Sequence, residues 1–339
     1  MKKLNISFFE TEKWEEKYLK EKLKGLKNLN SSFSANSLSA RNAAKYKNTE
    51  VLVVFIYSQV NEQVLAKMPN LKYIATMSTG FDHIDLKACK KRGIKVSNVP
   101  YYGENTVAEH TFALIFALAR RLPESIERTH TGKFSPEGLM GFDLKGKTIG
   151  LIGLGHIGEH VAKIAHGLEM KILAYDPKKD ARLAKKYKIK YGTMDSLLKN
   201  SDIISLHAPY NEHTHHLINK DNIKKIKKGA YIINTSRGGL IDTEALLIAL
   251  DKKIVAGAGL DVLEEEAFIK EEKELLARNF QSKCDLKTVL RGHTLIYDPR
   301  VIVTPHNAFN SKEALERILD TTSDNIKAFT KKKILNKVK

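Results

Sequence analysis

Short apolar runs rich in β-branched residues alternate with longer amphipathic stretches along nearly the whole chain. This alternation is typical of parallel sheets covered by helices, because two parallel strands need a crossover connection that is usually helical. The predicted strands form two groups: residues 4–8, 51–57, 73–76 and 95–97, then residues 148–153, 171–176, 202–207, 231–235, 256–262 and 301–304. Because 339 residues exceed what one hydrophobic core usually serves, we predict an α/β protein with two Rossmann-like or flavodoxin-like parallel-sheet domains.

The charge of the chain excludes some function classes. The formal net charge is +18, but the lysines are spread along the sequence without interleaved aromatic residues or a groove-reading motif. We therefore expect no nucleic-acid partner and only a mild attraction for anionic substrates. The longest apolar stretch, residues 112–119, is far shorter than the roughly 20 residues that span a bilayer, so we expect no membrane partner.

The two cysteines, Cys89 and Cys284, stand far apart without a CxxC motif or a Cys/His cluster. This pattern predicts neither a metal site nor a disulfide, and it favours a reducing cytoplasm. No charged leader followed by an apolar core opens the sequence, so we do not expect secretion. Cys89 could be a nucleophile, but its lysine-rich neighbours favour a small buried residue in a solvated helix.

Residues 105–121 carry apolar side chains around most of a helical circumference, which predicts a buried helix. Thr106 and Glu109 have the spacing of a capping box, so we expect the helix to start there and Leu122-Pro123 to end it. The sequence does not decide whether this helix is buried inside its own domain or against a second subunit. Residues 268–300 are charged and helix-prone, and we interpret them as an insertion before the last strand.

The motif GLGHIG, residues 153–158, follows a predicted strand and opens an amphipathic helix. Gly153 permits a tight turn, Gly155 lets backbone amides approach a pyrophosphate, and Gly158 lets helix and strand pack closely. The anion would lie at the positive end of the helix dipole. Asp176 ends the next strand at the spacing of a carboxylate that binds the adenosine ribose and repels a 2′-phosphate. The motif therefore predicts a dinucleotide site that prefers NAD over NADP.

Charged residues follow strands of the second predicted sheet, where open α/β sheets build their sites. Arg237 precedes two glycines and suits bidentate capture of a carboxylate, although it could be an exposed loop arginine. His306 follows the last strand and a proline, and an imidazole suits the proton exchange that accompanies hydride transfer; a structural histidine is the alternative. One of Glu264, Glu265 and Glu266 would orient His306 and stabilise its charged form, unless the cluster is only a solvated helix start. Spacing alone leaves open which glutamate does so.

Six segments together resemble the D-isomer-specific 2-hydroxyacid dehydrogenase family over nearly the whole chain. They are STGFD at 78–82, NVP at 98–100 with Tyr102, the glycine motif, NTSRG at 234–238, LDV at 260–262 and TPH at 304–306. The resemblance implies an NAD-dependent oxidoreductase that interconverts a small 2-keto acid and its D-2-hydroxy acid in a cleft between two domains. It implies a substrate-binding domain at residues 1–101 and 307–339, and an NAD-binding Rossmann domain at residues 102–306.

The resemblance also implies residue roles. Arg237 would bind the substrate carboxylate and carbonyl, His306 would be the acid/base, and Glu266, five residues beyond Asp261, would pair with His306. Backbone amides of Thr79 and Gly80 would meet the substrate carboxylate. Tyr102 would line the substrate pocket, and Asp261 would hold the nicotinamide carboxamide. With the residues of the glycine motif, the cofactor site would be formed by Gly153, Gly155, His156, Ile157, Gly158, Asp176, His207, Pro209, Thr235 and Asp261.

Within the family, the length of the segment between Glu266 and His306 and the sequence GFDL at 141–144 look most like D-lactate dehydrogenases. Pyruvate and D-lactate are therefore the first predicted substrate pair, and a homodimer is the expected assembly. Glyoxylate, hydroxypyruvate or a bulkier 2-keto acid such as 2-oxoisocaproate are the alternative substrates. From another class, an NAD-sensing binding protein similar to a transcriptional corepressor family is the alternative, and the basic surface is its support.

Overall fold

The structure, a computed structural model, describes residues 3–26, 28–266 and 285–338. The chain divides into two compact units, the first of Met1–Tyr102 with Ser311–Lys339 and the second of Gly103–Asn310. The sequence prediction ends the second unit at residue 306. The structure extends this unit further, because the amides of Asn307 and Ala308 both donate to the carboxylate of Asp261.

The strands and helices of the described residues are numbered here in chain order. The strands are β1 (Leu4–Phe9), β2 (Leu29–Ser34), β3 (Val51–Val54), β4 (Tyr73–Thr76), β5 (Lys95–Ser97), β6 (Thr148–Ile152), β7 (Lys171–Tyr175), β8 (Lys190–Tyr191), β9 (Ile203–Leu206), β10 (Ala230–Asn234), β11 (Val255–Leu260) and β12 (Val301–Val303). The helices are α1 (Lys13–Leu23), α2 (Glu62–Ala66), α3 (Leu86–Lys91), α4 (Glu104–Ala119), α5 (Leu122–His130), α6 (His156–Gly167), α7 (Ala181–Tyr187), α8 (Met194–Asn200), α9 (Thr243–Asp251), α10 (Leu286–Tyr297) and α11 (Lys312–Thr330).

Each unit is built on one parallel sheet. The first unit has the strand order β2-β1-β3-β4-β5, and the second has the order β12-β11-β10-β9-β6-β7-β8. The described pairs within both sheets are parallel. Strands β3, β4 and β9 are buried along their whole length, as expected for strands covered by helices on both faces. The prediction of two parallel-sheet α/β domains is confirmed.

The sequence prediction omits two strands, β2 and β8, which both lie at sheet edges. Strand β2 is LNSSFS with an exposed central part, and β8 has two residues, so neither gives the apolar run that marks a buried strand. The prediction also extends β3 to residue 57. In the structure β3 ends at Val54, because the amides of Phe55, Tyr57 and Ser58 donate to the Glu10 carboxylate instead of a neighbouring strand.

The predicted start of helix α4 is wrong. The helix begins at Glu104 with Gly103 as its N-cap residue, and the Val107 amide donates to the Gly103 carbonyl at 2.8 Å. Thr106 is a buried residue inside the first turn, so it does not form the predicted capping box with Glu109. Backbone atoms alone mark this helix start, which is why side-chain spacing did not locate it.

The predicted end of α4 is also corrected. The helix ends at Ala119, and Arg121 then takes a left-handed φ of 49°, which breaks the helical path. Leu122-Pro123 begins α5 rather than ending α4. This fits proline chemistry, because a proline in the first helical turn loses no backbone hydrogen bond.

Helix α4 buries a broad face within the second unit, where it packs against α6 and β11. Phe112 is 3% exposed and Ile115 is 1% exposed. On the other side Ala113 is exposed and Phe116 is 39% exposed. The apolar circumference predicted from the sequence is therefore only partly buried by the helix's own unit.

Part of the predicted insertion at residues 268–300 lies outside the described residues, which resume at residue 285. The described part contains α10, which packs against α9 and β12 and buries Val289 and Leu295. This helix therefore belongs to the helical layer of the second unit. No helix in the described residues combines the length and the apolar character that a membrane crossing needs.

Cys89 lies on α3 and is 1% exposed. Burial, with a smaller contribution from the Asp85 carboxylate, raises the pKa of the Cys89 thiol to about 11. A thiol that stays protonated at neutral pH is a poor nucleophile. The structure therefore favours the prediction of a small buried residue.

Candidate active site

The glycine motif forms the turn between β6 and α6. Gly153 has a φ of +93°, which side chains disfavour, and a Cβ there would lie 2.7 Å from the carbonyl carbon of His207. A Cβ on Gly158, in the first turn of α6, would lie 2.4 Å from the carbonyl oxygen of Gly153. Both positions therefore exclude a side chain because the backbone packs against itself.

Gly155 differs from these two glycines, because the structure leaves room for a side chain there. A Cβ there would meet no atom within 4 Å, and Gly155 is the exposed N-cap residue of α6 without a side-chain cap. His156 and Ile157 follow it as the first helical residues, and the first amides of any α-helix lack an acceptor within the helix. An open approach to such amides, at the positive end of the helix dipole, is what a phosphate group requires.

Asp176 follows β7 and lies beside this turn. Its Oδ2 accepts a hydrogen bond from the Leu154 amide at 2.6 Å, and its Oδ1 accepts one from the Lys178 amide at 2.7 Å. Two backbone amides from different segments thus fix the carboxylate against the glycine turn. This is the relation between turn and carboxylate that the ribose of a bound dinucleotide uses.

His207, which follows β9, is a buried residue at the back of the glycine turn. Burial lowers the pKa of His207 to about 3, so the ring is neutral at physiological pH. Its Nε2 lies 2.8 Å from Ser205 Oγ, whereas its buried Nδ1 has no hydrogen-bond partner in the part of the chain that is described. Because an orphaned buried polar atom is costly, this nitrogen fits a site that a bound polar group completes.

Two more of the predicted cofactor residues lie near the same edge of the sheet. Thr235 follows β10 and is buried, with its Oγ1 3.0 Å from Thr111 Oγ1 on α4. Pro209 is exposed, and its carbonyl accepts a hydrogen bond from the Thr214 hydroxyl at 2.6 Å. Both therefore lie after strands β9 and β10, whose carboxyl ends adjoin in the sheet.

Arg237 lies in the turn after β10. Asn234 shapes this turn, because its Nδ2 donates to the Arg237 carbonyl at 2.9 Å and its Oδ1 accepts from the Ser236 amide at 3.0 Å. A Cβ on Gly238 would lie 2.1 Å from the carbonyl carbon of Leu263. The arginine turn therefore packs directly on the segment that leads into the acidic cluster.

His306 and Glu266 form a hydrogen-bonded pair in the second unit. His306 Nδ1 lies 2.7 Å from Glu266 Oε1, and a carboxylate only accepts, so Nδ1 carries the proton and Nε2 is left for another partner. The backbone of His306 has a left-handed φ of 51°, which a non-glycine residue holds only where its surroundings fix it. Of the three glutamates left open by the sequence, Glu266 is the one that contacts His306. Glu264 contacts His216 instead, and Glu265 is exposed.

Asp261 anchors the loop that carries His306. Its carboxylate is 1% exposed and accepts hydrogen bonds from the Thr304 hydroxyl and from the amides of Asn307 and Ala308, both at 2.8 Å. Its backbone carbonyl accepts from the His306 amide at 2.9 Å. The predicted contact of Asp261 with the nicotinamide carboxamide stays a prediction.

His110, which lies on α4, also belongs to this cluster and was not predicted from the sequence. Its Nε2 is 3.1 Å from Thr304 Oγ1 and 3.4 Å from Asp261 Oδ1. Burial opposes the charge on Asp261, but the hydrogen bonds from His110, Thr304 and the two loop amides outweigh it and lower the pKa of Asp261. The sequence signal that could have revealed His110 is a histidine within the otherwise apolar stretch of α4.

The predicted substrate residues of the first unit follow β4 and β5. The Thr79 hydroxyl donates to the Val99 carbonyl at 2.8 Å, and the Ser78 hydroxyl donates to the Gly80 carbonyl at 2.7 Å. Among the hydrogen bonds of the described residues, none has the amide of Thr79 or Gly80 as its donor. These amides are therefore available to an anion. Tyr102 is half-buried, and its carbonyl accepts from Arg317 Nε at 2.5 Å.

The second unit thus holds a glycine turn shaped for a pyrophosphate, a carboxylate beside it, and a proton-carrying imidazole at the carboxyl ends of parallel strands. These features define a nicotinamide-dependent dehydrogenase. A family model described as "D-isomer specific 2-hydroxyacid dehydrogenase, NAD binding domain" matches residues 112–308. The chain belongs to the D-isomer specific 2-hydroxyacid dehydrogenase family, and its cofactor is NAD.

Curated relatives give the same result. The chain is 38% identical over 289 residues to a 2-hydroxyacid dehydrogenase homolog of Zymomonas mobilis, which covers 84% of this chain and 85% of the relative. It is 38% identical over 290 residues to a glyoxylate reductase of Thermofilum pendens, with 84% and 79% covered. It is 33% identical over 331 residues to the D-lactate dehydrogenase of Escherichia coli, with 95% and 96% covered.

Solved structures extend the likeness over the whole chain. The pyruvate reductase of Chlamydomonas reinhardtii has a TM-score of 0.87 and 35% identity, covering 98% of both chains. A D-lactate dehydrogenase of Aquifex aeolicus, complexed with NAD and lactic acid, has a TM-score of 0.84 and 39% identity, covering 97% of this chain and 96% of that one. The prediction of an NAD-dependent D-2-hydroxyacid dehydrogenase is confirmed, and the alternative of an NAD-sensing binding protein is not supported.

Proposed function

We propose that this enzyme interconverts pyruvate and D-lactate, with Arg237, Glu266 and His306 as its catalytic residues. The observation that carries the proposal is the Glu266–His306 pair, which leaves Nε2 of the ring to face a substrate oxygen. The choice of substrate is supported by relatives that are named as D-lactate dehydrogenases and as a pyruvate reductase. Glyoxylate is the second candidate substrate, because a relative at 38% identity is named as a glyoxylate reductase.

The substrate carboxylate is bound by fixed donors. The planar guanidinium of Arg237 offers two parallel N–H groups that match a carboxylate, and its charge favours a developing oxyanion on C2. The amides of Thr79 and Gly80 in the first unit also suit a substrate carboxylate, since their N–H groups have no acceptor in the described residues. Tyr102 would limit the size of the 2-keto acid side chain.

His306 transfers the proton. When bound, NADH supplies the hydride that reduces C2 of the keto acid. Protonated His306 donates from Nε2 to the C2 oxygen, while Nδ1 stays hydrogen-bonded to Glu266, whose charge stabilises the imidazolium. In the oxidation direction the neutral ring accepts the proton at the same nitrogen.

The remaining predicted residues hold the cofactor. The amides of His156 and Ile157 would bind the pyrophosphate across the open face of Gly155, and Asp176 would bind the ribose hydroxyls. Because the Asp176 carboxylate repels a 2′-phosphate, we propose a preference for NADH over NADPH. His207, Pro209, Thr235 and Asp261 complete the proposed cofactor set.

A panel of 2-keto acids tests the substrate. NADH oxidation would be followed with pyruvate, glyoxylate, hydroxypyruvate and 2-oxoisocaproate, and the product of pyruvate would be analysed for its configuration. We expect the highest kcat/KM with pyruvate, only D-lactate as product, and slower oxidation of NADPH than of NADH. A higher kcat/KM with glyoxylate would replace pyruvate as the substrate, and L-lactate as product would contradict the assigned geometry.

We further propose that the enzyme is a cytoplasmic homodimer. The support for the dimer is a set of exposed apolar side chains along α4, α5 and the following segment of the second unit: Phe116, Leu122, Ile126, Phe134 at 95% and Met140 at 91% exposed. Monomeric proteins rarely expose such a group of side chains together, and a second copy would cover it. The reduced, buried thiol of Cys89 suits the cytoplasm. Light scattering after gel filtration should give twice the mass of one chain, and Ile126→Asp should give the mass of a monomer.

A further inference from the structure

Glu264 lies two residues before Glu266, and both of its carboxylate oxygens are engaged. Its side chain is 13% exposed. Oε1 lies 2.6 Å from His216 Nε2, and Oε2 accepts hydrogen bonds from the amide of Thr243, at 2.8 Å, and from its hydroxyl. Thr243 is the first residue of α9, so the carboxylate also lies at the positive end of a helix dipole. One partly buried side chain thus joins three separate segments of the second unit.

Two of these segments border the turn that carries Arg237. The His216 amide donates to the Gly239 carbonyl at 2.8 Å, which ties the His216 segment to the arginine turn. A Cβ on Gly238 would lie 2.4 Å from the Glu264 amide nitrogen, so the arginine turn also packs against the backbone of Glu264 itself. A movement of Glu264 therefore changes the support under Arg237.

The segment that contains Glu264 also sets the position of Glu266. The backbone of Glu265, between the two glutamates, has a left-handed φ of 55°, which a residue with a side chain adopts only when other contacts hold it. Glu266 Oε2 accepts from the Leu263 amide at 3.2 Å, and Glu266 Oε1 binds His306. Glu264, at one end of this turn, binds His216 and Thr243, and Glu266, at the other end, binds His306. The contact between Glu266 and His306 therefore depends on how Glu264 holds the turn.

We propose that Glu264 is a positioning residue for the reaction: with His216 and Thr243 it locks the turn that brings Glu266 to His306 against the turn that carries Arg237. Both oxygens of Glu264 bind protein groups, on His216 and Thr243, so it acts through the two turns that it holds. The proposal deepens the proposed function and rests on its assignment of Glu266 and His306. The interaction requires the shape and acceptors of the side chain more than its charge, because a glutamine keeps an oxygen for Thr243 and offers an amide to His216.

The kinetic test compares Glu264→Ala, Glu264→Gln and, as the matched control in the same turn, Glu265→Ala. For Glu264→Ala we expect kcat/KM for the best 2-keto acid to fall at least about tenfold, with the Kd of NADH within about twofold of the parent. The alkaline limb of the kcat/KM profile should move to lower pH, because Glu266 no longer stabilises the charged ring. Glu264→Gln should restore most of the activity, and Glu265→Ala should behave as the parent enzyme.

A spectroscopic readout separates this proposal from the proposed function. The ring Nδ1–H of His306, bonded to a carboxylate, should give a downfield proton signal that disappears in His306→Gln. This signal should be lost in Glu264→Ala and kept in Glu264→Gln and Glu265→Ala, whether or not pyruvate is the substrate. If the parent enzyme reduces none of the 2-keto acids, the proposed function fails while this signal still tests the positioning.

Two outcomes would overturn the proposal. One is Glu264→Ala with parental kcat/KM, pH profile and His306 signal. The other is a loss of activity in Glu264→Ala that is fully explained by a smaller fraction of folded enzyme, measured by circular dichroism. The folded enzyme would then show the parental pH profile and His306 signal.

Discussion

The glycine turn allows a sharp prediction, because an added side chain would meet backbone at Gly158 and open space at Gly155. In Gly155→Ala the new Cβ meets no protein atom within 4 Å, whereas in Gly158→Ala it would lie 2.4 Å from the Gly153 carbonyl oxygen. Gly167→Ala, at the other end of α6, also meets nothing within 4 Å and is the matched control. The three variants therefore separate a loss of cofactor space from a loss of packing.

The expected magnitudes follow from these distances. Replacing the N-cap Gly155 by alanine costs at most about 1 kcal/mol of folding free energy, since glycine itself is a moderate N-cap residue. In Gly158→Ala the contact is about 1 Å shorter than an ordinary one, so backbone must shift at a cost of about 1–3 kcal/mol. For a unit of this size each kcal/mol lowers the Tm by about 2–4 °C. Gly167→Ala should be neutral or slightly stabilising, because alanine favours a helix.

The assay combines thermal unfolding of the cofactor-free enzyme with NADH fluorescence titration. We expect Gly155→Ala to keep its Tm within about 3 °C while the Kd of NADH rises at least about tenfold, which corresponds to about 1.4 kcal/mol. Gly158→Ala should lose both Tm and affinity, and Gly167→Ala should lose neither. Parental NADH affinity in Gly155→Ala would refute the assignment of its open face to the pyrophosphate.

Three further predictions concern charged and titratable residues. Arg237→Lys keeps the charge but loses the fork, so kcat/KM for the keto acid should fall about 100-fold or more with an unchanged Kd for NADH; a fall below threefold in steady-state assays would contradict the role of Arg237. Asp261→Asn leaves at least one donor of the His306 loop without an acceptor, so urea unfolding should show a loss of about 1–3 kcal/mol together with lower kcat, and parental stability would contradict the anchor. The folded-state pKa of His207, about 3, lies below its unfolded value of about 6.5, so the unfolded chain binds a proton that the folded protein does not as pH falls through this window. Unfolding of the parent enzyme should therefore cost about 2 kcal/mol less at pH 5 than at pH 7 through this group, and an equally steep loss in His207→Gln would contradict its assignment.

The sequence predicts the fold well where burial is two-sided and poorly at the edges of the sheets. Strands β6 (TIGLI) and β9 (IISL) are almost wholly buried, and their mostly apolar sequences are typical of strands covered on both faces. Strand β2 has no such apolar run, because it lies at the edge of its sheet and its central residues, Asn30 to Ser32, are exposed and polar. The start of α4 was misplaced because Gly103 caps it with backbone atoms, which leave no side-chain signal.

In the candidate site, the residues that follow strands could be predicted, and the contacts between them could not. Arg237 and His306 stand out because glycines or a proline flank them after apolar strands. Sequence spacing did not show whether Glu264 or Glu266 contacts His306. The left-handed backbone of Glu265, between them, determines which side chain turns toward His306, and sequence spacing does not reveal that conformation. His110 was missed because its partner Thr304 lies 194 residues away in the sequence.

The central claim is that His306, held by Glu266, carries the proton in an NAD-dependent reduction of a 2-keto acid. The most direct test is the turnover of His306→Gln at saturating NADH and keto acid, with the Kd of NADH measured on the same preparation. The account predicts a fall in kcat of about 10²–10⁴, the usual contribution of a positioned acid or base, with NADH affinity unchanged. Near-parental turnover in this variant would contradict it.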